Sequence, residues 1–408
     1  MARIQDLQGL QGLRYAQIMT QPLSIVLAGG GTAGHVNPML SIADQLSILD
    51  PSVKLTVIGT SVGLEARLVP AAGLELETIA KVPFPRKINA DAVQFPIRWA
   101  REQRRVRQIL QEHQANLVVG VGGYASAPAY SMAHKMKLPL VIHEQNARAG
   151  MANKLGARWA DFVGTVYENT GLKGGAHTVI ERVGLPLRKE ISDMAARLGE
   201  NRQAAQAEAR RELGLKADKP VVLVTGGSLG ALSLNKAVAS ASTDLLKKAQ
   251  IIHLTGRGKL DQVAAQVCEQ NGSRALSSLS MTETFEGDYH ALEYWERMDL
   301  AMCASDLVIC RSGAGTVAEI SALGLPAVYV PLPIGNGEQR LNAQPLAAAG
   351  GGLIVADKDF TSRWVKDHIP ALLSHPDKLA AMSRAAWNYG VRDAATVMAR
   401  HILDLALA

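Results

Sequence analysis

Short runs of aliphatic and β-branched residues, many ending in glycine, alternate along this chain with longer stretches of helical patterning. They are SIVLAGG (24–30), KLTVIGT (54–60), NLVVGVGG (116–123), LPLVIHE (138–144), FVGTV (162–166), PVVLVTGG (220–227), QIIHLTG (250–256), DLVICRSG (306–313) and PAVYVPL (326–332). Runs that are apolar on both faces belong in a sheet covered on both sides, and strands separated by helices pair in parallel, so the pattern predicts an α/β fold of βαβ units. A strand, a glycine-rich turn and a helix start occur together twice, as IVLAGGGTAGHVNP and as VVLVTGGSLGALSLNKAV, half the chain apart. Two Rossmann-like domains in tandem follow. The expected division is an extension, 1–20, without patterning and expected to be disordered; a first domain, 21–187; a charged helical linker, 188–219; a second domain, 220–385; and a C-terminal helical segment, 386–408.

With 408 residues, 48% of them apolar, the chain has ample material for two cores, which excludes disorder as its main state. Cys268, Cys303 and Cys310 form no CxxC pair, and their odd number leaves one unpaired under any pairing; a reducing compartment is expected. The first twenty residues carry Arg3, Asp6 and Arg14 without a continuous apolar core, unlike a secretory signal. Uncharged stretches such as 15–43 are broken by Gly29, Gly30, Gly31, Gly34 and Pro38, so no transmembrane helix is expected.

The first turn literally matches G-x-G-x-x-G through Gly29, Gly31 and Gly34, but the companion carboxylate of a dinucleotide site is absent: the next strand ends Ile58-Gly59-Thr60-Ser61. The second turn shows the same absence, its following strand ending His253-Leu254-Thr255-Gly256-Arg257, and no Walker-type lysine is present. What remains is close backbone approach at glycine and a helix N-terminus that favours anionic oxygen. A third turn, CRSGAGTVAEISALGLP (310–326), places Ser312 and Gly313 to Thr316 at a helix start with Glu319 about one turn inside. Such a start can accept a diphosphate, and the carboxylate can accept hydrogen bonds from a cis-diol such as ribose. Alternatively, Ser312 or Thr316 caps the helix and Glu319 is its capping-box partner. Both readings stand on these residues alone.

Taken in order and spacing, GGGTAGHVNP (29–38), GGYASAPA (122–129), HEQNARAG (143–150), GLPLR (184–188), GGSLGA (226–231), CRSGAGTVAEISALGLP and GEQRLNAQPL (337–346) resemble the MurG family, bacterial glycosyltransferases that complete the lipid-linked disaccharide precursor of peptidoglycan. The resemblance covers residues 21–400. It implies two Rossmann-like domains of GT-B type facing each other across a cleft, and transfer of N-acetylglucosamine from UDP-N-acetylglucosamine to the C4 hydroxyl of lipid I, undecaprenyl-diphospho-muramoyl-pentapeptide. Donor-binding positions of the family fall on Thr32, Ala33, Gly34, Asn146, Arg188, Ser228, Ala314, Gly315, Thr316, Val317, Ala318, Glu319 and Gln339, with Trp295 at a position that meets the uracil through its backbone. The chain departs from the family pattern in reading T-A-G-H for T-G-G-H, GLPLR for G-N-P-x-R, and Glu338-Gln339 for Gln-Gln.

An inverting transfer needs a base on the attacking hydroxyl, stabilisation of the leaving group, and two substrates in line. His35, at the end of the first turn, is the expected base, because a helix N-terminus keeps an imidazole neutral near pH 7. Glu144 is expected to orient Asn146 or its loop, and His143 to be structural. No cofactor and no metal are expected; Asp357-Lys358-Asp359 superficially matches Asp-x-Asp but precedes Phe360-Thr361 and a helical pattern, as a capping turn would. The rival readings are a UDP-N-acetylglucosamine epimerase of the same architecture, a non-catalytic nucleotide-sugar or membrane binder, and a nucleic-acid binder.

The last rests on the net charge of +6, yet aromatics are only 4% of the chain, a poor supply of base-stacking platforms. Lys81, Arg86, Lys87, Arg98, Arg101, Arg104, Arg105 and Arg107, set against Asp91 and Glu102, account for the whole of that +6. A helix starting at Pro96 would put Trp99, Val106 and Leu110 on one arc and Arg98, Arg101 and Arg105 on another, after a loop bearing Phe84 and Phe95. Phe84, Arg98, Trp99, Arg101, Arg104 and Arg105 are therefore expected to meet the anionic cytoplasmic surface of the cell membrane, where a peripheral enzyme would find its lipid acceptor; no nucleic acid partner is expected.

Overall fold

The computed structural model describes residues 22–85, 90–227, 229–277, 287–334 and 337–408. The extension 1–20 and the cations Arg86 and Lys87 lie outside the described residues. The chain divides into two compact units, one of residues 1–188 with 393–408 and one of 189–392.

The first unit runs β1 (Ser24–Ala28), α1 (Ala33–Leu49), β2 (Lys54–Gly59), α2 (Glu65–Ala71), β3 (Glu75–Thr78), α3 (Ala90–Glu112), β4 (Leu117–Gly120), α4 (Ser126–Met136), β5 (Leu140–Glu144), α5 (Met151–Gly156), β6 (Phe162–Thr165) and β7 (Val179–Arg182). The strands form one parallel sheet in the order β3-β2-β1-β4-β5-β6-β7. Alternation along β1 fills a core on each face: Ile25 and Leu27 pack with Met39, Ile42 and Leu46 of α1, while Val26 and Ala28 pack with Val106, Ile109 and Tyr130.

The second unit begins with α6 (Lys189–Glu212) and continues β8 (Val221–Thr225), α7 (Leu232–Ala239), α8 (Ser242–Leu246), β9 (Gln250–Leu254), α9 (Leu260–Asn271), β10 (Leu276–Ser277), β11 (Tyr289–Leu292), α10 (Met298–Ala304), β12 (Leu307–Cys310), α11 (Ala314–Leu323), β13 (Ala327–Tyr329), α12 (Glu338–Ala348), β14 (Gly352–Ile354), α13 (Ser362–Leu373) and α14 (Pro376–Tyr389). Its parallel sheet has the order β10-β11-β9-β8-β12-β13-β14. In each unit the strand order reverses once beside the first strand, between β1 and β4 and between β8 and β12. The loops leaving those strands flank the crevice in which open α/β sheets bind ligands.

The boundaries differ from those expected at both ends of the second unit. Residues 189–212 are helical as anticipated but do not form a free linker, because Ile191, Met194, Ala195 and Leu198 are buried and the helix packs on α10 and α11. The last helix, α15 (Ala394–Leu407), belongs to the first unit: Met398, Ala399 and Ile402 complete the core that contains Ile25 and Leu27. Helix α3 starts at Ala90, ahead of Pro96, and so carries Phe95 on the helix instead of a loop. Proline there removes a single early hydrogen bond, from a side of the helix that faces solvent. No helix among the described residues is long and apolar enough to cross a membrane.

Met398 is fully buried, and a Cβ added to Gly164 of β6 would lie 2.4 Å from its sulfur. Met398→Ala should destabilise the first unit by about 2–5 kcal/mol. Urea denaturation followed by proteolysis of the partly unfolded chain should show the first unit opening earlier and the second unchanged.

Candidate active site

The first glycine turn leaves β1 through Gly29, Gly30 and Gly31, with φ of +148° at Gly30 and +94° at Gly31, a region where only glycine is unstrained. Beneath it lies Glu65, the first residue of α2, with no exposed surface. Its Oε2 accepts the Gly31 N–H at 2.7 Å, and its Oε1 accepts the Thr60 N–H at 3.0 Å and the Thr60 hydroxyl at 2.7 Å. Burial opposes its ionisation, but these hydrogen bonds outweigh burial and hold the carboxyl below its ordinary pKa. A Cβ on Gly30 would sit 2.3 Å from the Glu65 carboxyl carbon, so the carboxylate and the glycine require each other.

Thr32, Ala33, Gly34 and His35 open α1. Thr32 is the N-cap residue yet makes no side-chain cap bond; its Oγ1 lies 3.3 Å from His35 Nδ1 instead. The imidazole rests on the second loop of the unit, where a Cβ on Gly122 would meet its Cδ2 and Nε2 at 3.2 Å. Burial lowers the His35 pKa, partly offset by the Glu65 charge and a hydrogen bond to the Gly30 backbone. The ring is therefore neutral near pH 7, the state a base requires.

The HEQN segment ends β5. Glu144 Oε1 accepts the Asn146 N–H at 2.9 Å, and Oε2 accepts from Gly150 N and Asn153 Nδ2, both at 2.9 Å. Burial raises the Glu144 pKa against those donors, and the carboxyl is spent on shaping the loop that carries Asn146. His143 is fully buried, with Nε2 2.8 Å from the Gly184 carbonyl and Nδ1 3.1 Å from Gln145. Burial pushes its pKa down to about 4, which makes it a structural histidine. Arg188 is half-buried at the end of the first unit.

In the second unit, the turn after β8 includes Ser228, which lies outside the described residues. Around it, Gly230 and Gly256 approach so closely that a Cβ on Gly256 would fall 2.5 Å from the Gly230 Cα. Asn235 of α7 ties this turn to the next strand through Thr255 O at 2.9 Å and His253 Nε2 at 3.1 Å. Burial lowers the His253 pKa to about 3, so that network is uncharged.

The third turn resolves an ambiguity. Helix α11 starts at Ala314 with Gly313 at the N-cap position and no side-chain cap bond. Neither Ser312 nor Thr316 caps it, and Glu319 lies too far along for a capping box, whose acid stands three residues past the cap. Ser312 is fully buried, and its hydroxyl lacks a partner among the described residues. Gln339, early in α12, uses its Oε1 to accept the N–H groups of Ser312 at 3.2 Å and Leu332 at 2.9 Å. Gly315, Thr316, Ala318 and Glu319 are partly exposed, whereas Ala314 and Val317 are buried. Trp295 is half-buried after β11, and its indole nitrogen has no partner among the described residues.

The three helices behind glycine turns, α1, α7 and α11, share two absences: none has a side-chain cap and none has an acid in its first turn. Most other helices of the described residues also lack a side-chain cap; Thr361, ahead of α13, is an exception and accepts from Trp364 N at 3.2 Å. Uncapped N–H groups beside a strand-order reversal are free to bind a ligand's anionic or sugar oxygens. Asp357 is not such a ligand group, because it pairs with Arg311 at 2.6 Å and accepts from Ser233 at 2.7 Å. It lies in a turn, as expected, although Thr361 does the capping.

Phe84, ahead of α3, forms a three-ring cluster with Phe95 and Trp99 of that helix, with centroids 5.4–5.6 Å apart. Val93 and Ile97 are each 76% exposed beside it, and Arg98, Arg101 and Arg104 are exposed along the same helix. Arg105 departs from the expected patch: its guanidinium reaches back to Glu77 of β3 at 2.7 Å, where an acceptor on the edge strand claims its charge. Glu65 and Asn153 had no sequence signal of their own: strand pairing brings Glu65 under the first turn, and Asn153 of α5 folds back onto the loop after β5.

Residues 25–165 match the glycosyltransferase family 28 N-terminal domain and residues 221–398 the glycosyltransferase family 28 C-terminal domain. The chain is 59% identical to the Bifidobacterium longum protein named UDP-N-acetylglucosamine--N-acetylmuramyl-(pentapeptide) pyrophosphoryl-undecaprenol N-acetylglucosamine transferase, over 94% of this chain and 97% of that one. The crystal structure of Acinetobacter baumannii MurG is similar with a TM-score of 0.72 at 26% identity, covering 94% of this chain and 100% of that one. A UDP-GlcNAc 2-epimerase from Neisseria meningitidis, at a TM-score of 0.64 and 12% identity over 94% of this chain and 100% of that one, shares the fold alone. Near-complete coverage at such identity leaves no ambiguity of kinship: the chain belongs to glycosyltransferase family 28, among the N-acetylglucosamine transferases that include MurG.

Proposed function

We propose that this protein transfers N-acetylglucosamine from UDP-N-acetylglucosamine to the C4 hydroxyl of undecaprenyl-diphospho-muramoyl-pentapeptide, with inversion at the transferred carbon. The observation that carries the reading is near full-length identity to a transferase named for that donor and acceptor. Glycine turns leading into uncapped helices support it. The C4 oxygen attacks the anomeric carbon as the bond to the UDP β-phosphate oxygen breaks; the electron pair leaves with UDP and the hydroxyl proton passes to His35. The charge that develops on UDP meets the N–H groups of Ala314, Gly315 and Thr316, and Ser228 is the family-pattern residue that joins in holding the diphosphate. Glu319 accepts from the ribose hydroxyls, and the Trp295 backbone meets the uracil. Gln339 has its oxygen committed to Ser312 and Leu332, so its amide N–H is what it presents to a sugar hydroxyl. Thr32, Ala33, Gly34, Asn146 and Arg188 complete the donor contacts.

The ring cluster and exposed arginines of α3 suit reversible attachment to an anionic bilayer, each cation near the surface contributing about 1 kcal/mol. On this reading the enzyme is peripheral to the cytoplasmic leaflet that holds its acceptor. An epimerase remains compatible with the fold but is not favoured, since that likeness is one of architecture.

Incubation with labelled UDP-N-acetylglucosamine should give a labelled disaccharide only when a short-chain lipid-linked muramoyl-pentapeptide is present; conversion of the sugar nucleotide without acceptor would overturn the transferase reading. Glu319→Ala should raise the donor KM by about tenfold to a hundredfold, from loss of hydrogen bonds to a charged group, and leave the acceptor KM within about twofold. Unchanged donor binding in calorimetry would refute the ribose role. Arg101→Gln combined with Arg104→Gln should weaken sedimentation with phosphatidylglycerol vesicles by about thirtyfold, and undiminished binding would count against the membrane face.

A further inference from the structure

Helix α6 is broken in its middle. Asn201 leaves helical geometry, with φ −153° and ψ 93°, and its Oδ1 accepts the Ala204 N–H at 3.0 Å, so a second helical segment, 202–212, starts at Arg202 with Asn201 as its cap. Beside this start, Gly199 and Arg202 of α6 and Ser383, Arg384, Trp387 and Asn388 of α14 line a cleft of about 290 Å³ that lies wholly within the second unit. It shares no residue with the glycine turns. We propose that this cleft is a second ligand site of the protein and takes a small soluble oxyanion of the phosphate class, such as inorganic diphosphate.

The first support is uncompensated charge. The guanidinium carbons of Arg392 and Arg202 lie 3.5 Å and 5.2 Å from the ring centroid of Trp387, so one indole holds two cations close together. No carboxylate among the described residues forms an ion pair with Arg202, Arg384 or Arg392; Glu200 and Asp393, their neighbours in sequence, are exposed. Burial lowers the pKa of Arg202, and burial together with the Arg202 charge lowers that of Arg392. An anion in the cleft would relieve both the repulsion and the burial of charge.

The second support is a supply of free donors. Arg392 is spent on the carbonyls of Ala322, Gly390 and Trp387, and Arg202 gives one N–H to Leu323 O at 2.8 Å. Ala322 and Leu323 end α11, so closing that helix accounts for Arg392 and for one donor of Arg202. It does not account for the other Arg202 donors, nor for Arg384, whose side chain has no hydrogen bond or ion pair among the described residues. Two guanidinium groups from different helices thus bring open donors to one cleft, the geometry that suits a multi-oxygen anion. The Asn388 amide stands on the same wall, while the Ser383 hydroxyl is committed to Gly324 O at 2.7 Å.

The third support concerns the size and source of the ligand. The positive end of the 202–212 segment adds to the arginine charge at the cleft. None of the lining residues is among the exposed large apolar side chains, so nothing there seats an acyl chain, and a free anion fits better than a lipid headgroup.

Calorimetric titration of inorganic diphosphate into the full-length protein, with excess UDP present to fill any diphosphate site at the glycine turns, should show one site with a Kd of about 1 mM or tighter at low ionic strength. Arg202→Gln and Arg384→Gln should each weaken it by about tenfold or more. Arg202→Gln also removes the bond to Leu323; if that variant misfolds, Arg384→Gln decides, since its side chain holds nothing in the fold. Absence of binding, or a Kd in Arg384→Gln within about twofold of wild type, would overturn the proposal. Glu319→Ala, at the start of α11, should leave the heat of binding unchanged; its loss there would assign the diphosphate to the glycine turns and overturn the second site. Phosphatidylglycerol vesicles supply the remaining arm: vesicle binding lost in Arg384→Gln, with no binding of free diphosphate, would make the cleft a headgroup site and overturn the soluble anion.

Discussion

A helix begins with backbone N–H groups that nothing in the helix can satisfy, and three such starts in this protein stand directly behind glycine turns. Behind the glycine turns of β1, β8 and β12, the helices start without side-chain caps and without acids in their first turns. Side-chain caps are scarce elsewhere too among the described residues, Thr361 supplying one. Other helices also start without caps, so what sets these three apart is their place behind glycine turns beside the strand-order reversals, where open α/β sheets bind ligands. The rest of the site serves to hold those starts in place: Glu65 under the first, Asn235 and His253 beside the second, Gln339 and Arg311 around the third.

The two units solve one geometric problem with different supports. In the first, buried carboxylates shape the loops: Glu65 gathers the Gly31 and Thr60 donors, and Glu144 gathers Asn146, Gly150 and Asn153. In the second, neutral amides and one buried ion pair do so, with Arg311 bonded to the Val330 and Pro331 carbonyls, Ser233 and Asp357. The first unit thus buries carboxylates under its loops without a partner cation, whereas in the second the Asp357 charge near the third turn is matched by Arg311.

The buried strands were legible because both their faces are apolar. β3 reads Glu-Leu-Glu-Thr and β7 Val-Ile-Glu-Arg; as edge strands with exposed faces they carry no continuous apolar run. The glycine turns and Glu319 could be picked out from residue type and spacing, whereas removing the cap role for Ser312 and Glu319 required the helix start itself. Glu65 was invisible for a different reason. Its meaning depends on β1 pairing with β2, which lays α2 under a turn 34 positions earlier. Arg105 shows the converse: the helical pattern placed it correctly on the basic arc, but a neighbouring strand supplied Glu77 and took its charge inward.

The return of α15 to the first unit bears on how the molecule is made. One face of the first sheet, with Ile25 and Leu27, stays only partly covered, by α1, until Met398 and Ile402 have been synthesised. During translation the second unit, continuous from 189 to 392, has its whole sequence available before the first does. The unit whose residues are made first is therefore the last able to close its core, and a nascent chain stalled near its end would display an unfinished apolar sheet to the cell's chaperones and proteases.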